Sequence, residues 1–224
     1  MRLDRLTWTE VAARAGRSLL AVPLGSTEQH GPHLPLSTDT DLALALADGL
    51  ATRRPDVLVA PTLAYGASGE HAGFPGTLSI GGEALESVLV ELGRSADAFA
   101  GLVLVNAHGG NAAAVSAAAA RLSAEGRDVL AWWPTVPGGD AHAGRTETSL
   151  LLALHPNLVR LDAAAPGDLR PLAELLPTLR AAGVATVSPN GVLGDPSGAT
   201  AEEGAALLGA LVTDLTDAAA ARWP

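Results

Sequence analysis

The chain of 224 residues contains no cysteine. Disulfides, thiolate zinc sites and a cysteine nucleophile are therefore excluded, so any metal ion must be bound by histidine and carboxylate side chains. Lysine is absent as well: all 14 basic residues are arginines, against 24 acidic residues, and the formal charge is -10. Such a surface repels phosphate backbones and anionic lipid headgroups, so we expect neither nucleic acid nor a membrane as a partner.

Long hydrophobic runs are also missing. No stretch of about 18 apolar residues suggests a transmembrane helix, and the N-terminal segment has too short an apolar core for a signal peptide. We therefore expect a cytoplasmic protein. No GxGxxG or P-loop motif follows an apolar run, which argues against a nucleotide-binding doubly wound domain. With 48% hydrophobic residues and no repeats, linkers or charge blocks, residues 1–224 are expected to form one domain.

Apolar runs of strand length alternate with alanine- and leucine-rich stretches of helix length. This alternation is typical of βαβ units and predicts an α/β fold with a mostly parallel central sheet. The predicted strands are residues 18–24, 57–63, 101–106 and 129–133, with 184–188 as a weaker fifth. Helices are predicted at about 40–54, 82–99, 111–125, 147–154 and 201–221, the last opened by a capping box of Thr200 and Glu203.

Ligands of open α/β sheets bind at the carboxyl ends of the strands, and the first polar motif follows the first predicted strand. In "GSTEQHGPHLPLSTDTD", Glu28 and His30 are two residues apart and point to the same side of an extended backbone. Pro32 and Pro35 stiffen the turn that returns Asp39 to them. Taken alone, Glu28 is explained as a surface charge and Asp39 as a helix N-cap. Together with His30 they indicate a metal site.

A second motif, "VNAHGGN", follows the strand at 101–106. Gly109 and Gly110 allow a close approach of the backbone to a ligand, and the following helix offers free N–H groups. Taken alone, His108 in this motif is explained as an incidental residue of a glycine-rich turn.

The third motif, "DAHAGRTETSLLLAL", places His142 before a helix whose first turn contains Glu147. Singly, the glutamate is explained by the helix dipole and the histidine by a structural role. Across the three motifs, however, five nitrogen and oxygen ligands are available: Glu28, His30, Asp39, His108 and Glu147. If Asp39 bridges, two divalent ions each receive three ligands, which is the arrangement of a hydrolytic two-metal site. Ligands of this kind suit zinc, iron(II) or manganese.

The motifs "GSTEQHGPHLPLSTDTD", "FPGTLSI", "NAHGGN", "HAGRTETS" and "GDPSGAT" occur in this order. Together they resemble the creatininase family of metal-dependent amidohydrolases, from about Leu19 to Gly204. The resemblance implies a three-layer α/β/α sandwich, a homo-oligomer and two metal ions. By resemblance, one ion is held by Glu28, Asp39 and His108, and the other by His30, Asp39 and Glu147. His142 is then the acid/base group.

Within the family, the compact length and "AYGASGEHAGFPGTLSIGGEAL" are most similar to peptidases that release a C-terminal valine- and tyrosine-derived unit from a modified precursor peptide. Creatininases proper carry an acidic residue where this chain has Gly110, which argues against hydrolysis of creatinine. Two alternatives stay open: a deformylase or cyclic amidohydrolase acting on a small molecule, and a metal-binding assembly protein without turnover. His142 argues against the second, because a binding site alone does not require it.

Several further residues are candidates. His71 and Phe74 are expected to line the mouth of the site. Of Trp132 and Trp133, which alternate faces of a strand, one is expected in the core and Trp133 is taken as the substrate contact. His33 is explained either as an orienting partner of a ligand carboxylate or as a structural residue, and Asp195 either caps a turn or completes the pocket.

Overall fold

The computed structural model describes residues 1–224. Four strands form one parallel sheet in the order β2-β1-β3-β4. Their bounds are β1 (Leu19–Leu24), β2 (Val57–Val59), β3 (Gly101–Asn106) and β4 (Val129–Trp132). Every residue of β1 and β3 is buried, as expected for central parallel strands that are covered on both faces. The four main strand predictions are thereby confirmed, although β2 ends before Pro61.

Eight α-helices surround the sheet. They are α1 (Trp8–Ala12), α2 (Thr38–Arg53), α3 (Gly82–Ser95), α4 (Ala112–Ala124), α5 (Arg145–Leu154), α6 (Leu172–Ala182), α7 (Val184–Val187) and α8 (Ala201–Arg222). Short 3-10 turns lie at Leu3–Arg5, Ala15–Arg17, Gly69–His71, Gly109–Asn111, Pro156–Leu158 and Leu161–Ala163.

The core is divided into two layers by the sheet. Leu19 and Ala21 of β1 pack with buried residues of α2, α5 and α8 on one face. Leu20 and Val22 point to the opposite face and pack with α3 and α4. This division follows from the alternation of side chains along a strand. The predicted three-layer α/β/α sandwich is confirmed.

The weaker strand prediction at 184–188 is wrong. Val184–Val187 forms the helical turn α7, which begins after Gly183 at a φ of 76°. Val184 is buried with Leu175 and Leu179 of α6, a helix that was not predicted. A five-residue apolar run fits a strand and a buried helical turn equally well, and here packing against α6 decides.

Two helix starts differ from expectation. Helix α2 begins at Thr38 after Ser37, so Asp39 lies inside the first turn and is not the N-cap. At α8, Thr200 accepts a hydrogen bond from the backbone N–H of Glu203, but the Glu203 carboxylate turns to Arg145 and Ser149. Only half of the predicted capping box is therefore formed.

Helix α8 is also long and apolar enough to cross a membrane by length and composition alone, and its buried face packs on α5 and α2.

Candidate metal centre

The loop after β1 brings Glu28, His30 and Asp39 together. Ser26 donates a hydrogen bond from Oγ to Oδ2 of Asp39 at 2.7 Å, and Thr40 donates from Oγ1 to the carbonyl oxygen of Ser26 at 2.7 Å. These bonds hold the first turn of α2 against the loop. Glu28 and His30 are both 0% exposed. Nε2 of His30 lies 3.2 Å from Oδ1 of Asp39.

His108 reaches the same place from the end of β3. Asn106 donates a hydrogen bond to the carbonyl oxygen of His108 at 2.8 Å and fixes the turn. On the His108 ring, Nδ1 lies 3.2 Å from Oδ2 of Asp39 and Nε2 lies 3.2 Å from Oε2 of Glu28. The two oxygens of Asp39 thus face two different histidines.

Helix α5 supplies the remaining groups. Oε2 of Glu147 lies 3.9 Å from Nε2 of His30 and accepts a hydrogen bond from the backbone N–H of Ala143 at 2.6 Å. Ala143 holds a φ of 52°, a left-handed conformation that costs a non-glycine residue about 1–3 kcal/mol. Its neighbour His142 is thereby directed inward, with Nδ1 3.9 Å from Oε1 of Glu28.

Three groups of side chains are spaced to hold an ion, with ligand atoms within 4.8 Å of one another in each. They are Glu28 with Asp39 and His108, His30 with Asp39 and Glu147, and Glu28 with His30 and His142. The first two are the groups predicted from the sequence. The third was not predicted, because His142 was expected to stay outside the ligand set.

The donor atoms fit divalent cations. Glu28 is fully buried, yet neither of its carboxylate oxygens has a hydrogen-bond partner, an arrangement that is costly unless a cation satisfies it. His30 faces the carbonyl oxygen of Glu28 through Nδ1 at 3.2 Å, and His108 faces that of Ala67 through Nε2 at 3.1 Å. Because a carbonyl oxygen only accepts, each ring keeps its other nitrogen bare for an ion.

The charges of the centre point the same way. Burial, reinforced by Asp39, raises the pKa of Glu28 to about 7. Burial disfavours charge on His30 and His108, but the neighbouring carboxylates outweigh it and raise the pKa of His30 to about 10 and that of His108 to about 9. Burial and the charge of His30 lower the pKa of His142 well below its usual value. The raised pKa values of Glu28, His30 and His108 thus favour binding of protons at the atoms that could bind cations.

The predicted substrate contacts are distributed differently. His71 is buried inside the centre and not at its mouth: burial and the charge of His108 lower its pKa to about 3, and Nε2 lies 3.3 Å from Oε1 of Glu28. Phe74 packs on the cluster around α6. Trp133 is 42% exposed beyond β4, whereas Trp132 is in the core and donates from Nε1 to Asp214. One tryptophan is thus buried and the other exposed, as expected.

Gly110 makes room for a carboxylate from another loop. A side chain at this position would overlap the carbonyl oxygen of Ala67 and Nε2 of His108, and its Cβ would lie 2.5 Å from Oε1 of Glu70. Glu70 therefore occupies the space that a residue at 110 would fill, 3.9 Å from Nε2 of His108. Gly109, by contrast, has open space around it.

His33 and Asp195, for which the sequence left two explanations each, both have structural contacts. His33 faces Oγ1 of Thr148 through Nε2 at 2.9 Å and is not hydrogen-bonded to a predicted ligand. Asp195 accepts a hydrogen bond from the N–H of Ser197 and so caps a turn.

Sequence reasoning missed Asp140 and Gln29. Asp140 accepts hydrogen bonds from the N–H groups of Arg145 and Thr146 and anchors the start of α5. Gln29 lies between two predicted ligands, and that position was the only available signal for it. Its side chain contacts both His71 and His142.

The family model described as Creatininase: Creatinine amidohydrolase matches residues 4–219. The chain belongs to the creatininase family. It is 54% identical to a mycofactocin precursor peptide peptidase of Mycobacterium ulcerans, a match that covers 91% of this chain and 85% of the relative. It is 53% identical to the protein of the same name from Mycolicibacterium smegmatis, over 89% of this chain and 83% of that one. The expected similarity to the peptidases of the family is confirmed.

More distant members share the fold. A creatinine amidohydrolase of Pseudomonas putida is 32% identical over 99% of this chain and 97% of its own. A crystal structure of creatinine amidohydrolase superposes with a TM-score of 0.82 at 29% identity, covering 100% of this chain and 98% of that one. A manganese form of creatininase gives 0.83 at 30% identity with the same coverage. The chain is, with these relatives, an amide-bond hydrolase.

Proposed function

We propose that this creatininase-family hydrolase is a peptidase of the modified mycofactocin precursor peptide. It cleaves the amide bond that joins the leader to the C-terminal valine- and tyrosine-derived dipeptide. The proposal is supported by the high identity to two peptidases of that name, over about nine tenths of the chain. The metal dependence rests on Glu28, which lies among the other potential ligands. Its carboxylate is fully buried, and neither oxygen has a hydrogen-bond partner.

Two divalent ions are proposed as cofactors. Glu28, Asp39 and His108 would hold one ion, and His30, Asp39 and Glu147 the other. Solved creatininases include a manganese form and a Zn-Zn type, and the ligands here suit zinc, iron(II) or manganese. When bound, such ions polarise the amide carbonyl and make a water nucleophilic near neutral pH.

His142 is proposed to carry the proton. Its Nε2 lies 2.9 Å from the carbonyl oxygen of Gln29, which only accepts, so Nε2 holds the ring hydrogen. Nδ1 is then bare and directed towards the centre, where it accepts a proton from the attacking water and passes it to the leaving amine nitrogen. Burial favours the neutral ring that this role requires.

The deformylase alternative is disfavoured by Arg145. A deformylase substrate that is phosphorylated would need a basic partner, and Arg145 is the one arginine within the five motifs. Its Nε lies 2.8 Å from Oε2 of Glu203, so it is already paired on the surface. A phosphate would therefore have to compete with the Glu203 carboxylate for this arginine.

The deciding experiment is incubation of the zinc- or iron-loaded chain with the modified precursor peptide, followed by mass analysis of the fragments. Release of the C-terminal dipeptide is the expected result. Glu28→Gln, which keeps the shape of the side chain but removes its charge, is expected to lose both bound metal and cleavage. About two metal ions per chain with no cleavage of the peptide or of a formylamide substrate would instead favour a binding protein without turnover.

A homo-oligomer, a single domain over residues 1–224 and a cytoplasmic location are further parts of this proposal. Light scattering on the purified protein tests the first of these.

A further inference from the structure

The side-chain amide of Gln29 has only one orientation that satisfies its surroundings. Oε1 accepts a hydrogen bond from the backbone N–H of Gly31 at 2.8 Å, and Nε2 donates one to the carbonyl oxygen of Gly191 at 3.1 Å. A backbone N–H only donates and a carbonyl oxygen only accepts. A flipped amide would therefore place its NH2 group against the N–H of Gly31 and its oxygen against the carbonyl oxygen of Gly191. Gly191 permits this approach, because a Cβ there would overlap the Gln29 amide.

The second amide hydrogen determines the tautomer of His71. Nε2 of Gln29 lies 2.8 Å from Nδ1 of His71. Since the amide nitrogen donates, Nδ1 of His71 accepts and is bare, and the ring hydrogen is on Nε2. That nitrogen lies 3.3 Å from Oε1 of Glu28. His71 therefore presents an N–H towards the carboxylate that the proposed first ion requires.

The backbone of the same residue determines the tautomer of His142. Its Nε2 lies 2.9 Å from the carbonyl oxygen of Gln29 and 3.1 Å from Nε2 of the Gln29 side chain. Both hydrogens of the amide are already used, on Gly191 and His71, so the ring hydrogen of His142 is on Nε2 and points to the carbonyl oxygen. The bare nitrogen of His142 is Nδ1, on the side of Glu28.

We propose that Gln29 is a positioning residue that holds both His71 and His142 as Nε2–H tautomers, so that His71 turns its N–H and His142 its bare Nδ1 towards Glu28. The two rings lie 4.6 Å apart between centroids, so one buried glutamine sets a donor and an acceptor side by side. His71 places its N–H side 3.3 Å from Oε1 of Glu28, without a hydrogen bond between them. His142 directs a bare nitrogen to the reacting groups. The use of that bare nitrogen as a proton acceptor rests on the proposed function, whereas the pair of tautomers does not.

Two variants separate the side-chain effect from the backbone effect. Gln29→Glu retains the shape but only accepts, so it is expected to draw the hydrogen of His71 to Nδ1. Gln29→Met neither donates nor accepts and is expected to leave His71 as a mixture of tautomers. In both variants His142 keeps its hydrogen on Nε2, because its partner is a backbone carbonyl. Thr77→Val is the matched control, since Oγ1 of Thr77 accepts from the backbone N–H of Gln29 at 3.1 Å and touches neither ring.

The measurement is nitrogen-15 NMR of the histidine rings in the zinc-loaded and metal-free protein, which contains six histidines in all. In the unsubstituted protein, Nδ1 of both His71 and His142 is expected to be without hydrogen. In the Gln29 variants, kcat or zinc affinity is expected to fall by about 10- to 100-fold. In Thr77→Val, both quantities are expected to stay close to those of the unsubstituted enzyme.

A hydrogen on Nδ1 of His71 in the unsubstituted protein would overturn the inference, even if both variants failed to fold. An unchanged His71 tautomer in folded Gln29→Glu and Gln29→Met would overturn it as well. The NMR result does not depend on turnover. Correct tautomers without peptide cleavage would therefore refute the proposed function alone, and cleavage with the wrong tautomers would refute this inference alone.

Discussion

At the scale of single residues, the missing side chain of Gly110 is as important as the ligands. Gly110→Ala would place a methyl group against His108, Glu70 and the carbonyl oxygen of Ala67. We expect a loss of about 1–3 kcal/mol in the free energy of unfolding, as for overpacked sites, and weaker binding of metal. Thermal unfolding and metal content measure the two effects.

Gly109→Ala is the control for this prediction, because a methyl group there meets open space. The two glycines are adjacent and both precede α4, so a general effect on the turn would appear in both variants. Equal losses of stability and metal binding in the two variants would show that Gly110 is not required to leave space for Glu70.

The role of His142 is also decided at this scale. His142→Ala is expected to lower kcat by about 10²- to 10⁴-fold, the usual contribution of a positioned proton carrier, while the protein still binds two metal ions. Peptide cleavage and metal analysis on the same sample check this. His155→Ala is the control, because His155 is exposed at the end of α5. Loss of an ion from His142→Ala would instead place His142 in the third group, with Glu28 and His30.

The predicted ligands were accessible to sequence reasoning because each of the motifs follows a strand or opens a helix. Gln29 was not, since its partners include Gly191, which is 162 positions away in the chain. Its role arises only when the chain has folded, and no local pattern in the sequence indicates it.

At the scale of elements, the start of α5 fixes two of the proposed functional groups. Asp140 accepts hydrogen bonds from the N–H groups of Arg145 and Thr146 and from Oγ1 of Thr146. Asp140→Ala is expected to cost about 1–2 kcal/mol of stability, as for a lost N-cap, and to weaken metal binding because His142 and Glu147 lie on either side of this start. Chemical denaturation and zinc titration are the measurements.

Asp195→Ala provides the comparison for Asp140. Its carboxylate accepts one turn bond from Ser197, and the bond between Asp195 and Asp140 uses the backbone N–H, which the substitution keeps. Asp195→Ala is therefore expected to have nearly unchanged metal binding. A loss of zinc as large as in Asp140→Ala would mean that Asp195 belongs to the pocket.

The elements themselves were predicted unevenly, for physical reasons. β1 and β3 are continuous apolar runs because both of their faces are covered, and such runs are easily read from a sequence. Helix α6 was missed because it contains Pro177 and follows Pro171, residues that usually interrupt helices. The run 184–188 was assigned to a strand because nothing within five residues reveals the packing of Val184 on α6.

At the scale of the whole molecule, metal and protons compete for one buried centre. His30 and His108 have raised pKa values, about 10 and 9, so their charged forms stabilise the metal-free fold below pH 6.5 and this contribution is lost as pH rises through those values. Glu28, whose pKa is raised from 4.5 to about 7, lowers stability between those two values and adds nothing above pH 7. We therefore expect the melting temperature of the metal-free protein to fall between pH 7 and pH 10.

The zinc-loaded protein is the reference for this experiment. An ion replaces the protons on these ligands, so the loaded protein should lose much less stability over the same range. His71 and His142, whose pKa values are lowered, are uncharged throughout and do not contribute. Parallel pH dependence of the two forms in calorimetry would contradict the assignment of these residues to the metal sites.

The position of the proposed ligands along the chain gives the two ion groups an order of completion during synthesis. Glu28, Asp39 and His108 belong to β1, α2 and β3 and to the loops that join them, and β1 pairs directly with β3. The group that includes Glu147 needs a further stretch of chain to leave the ribosome before it exists. A nascent polypeptide therefore carries all the ligands of one ion group while the other still lacks a member.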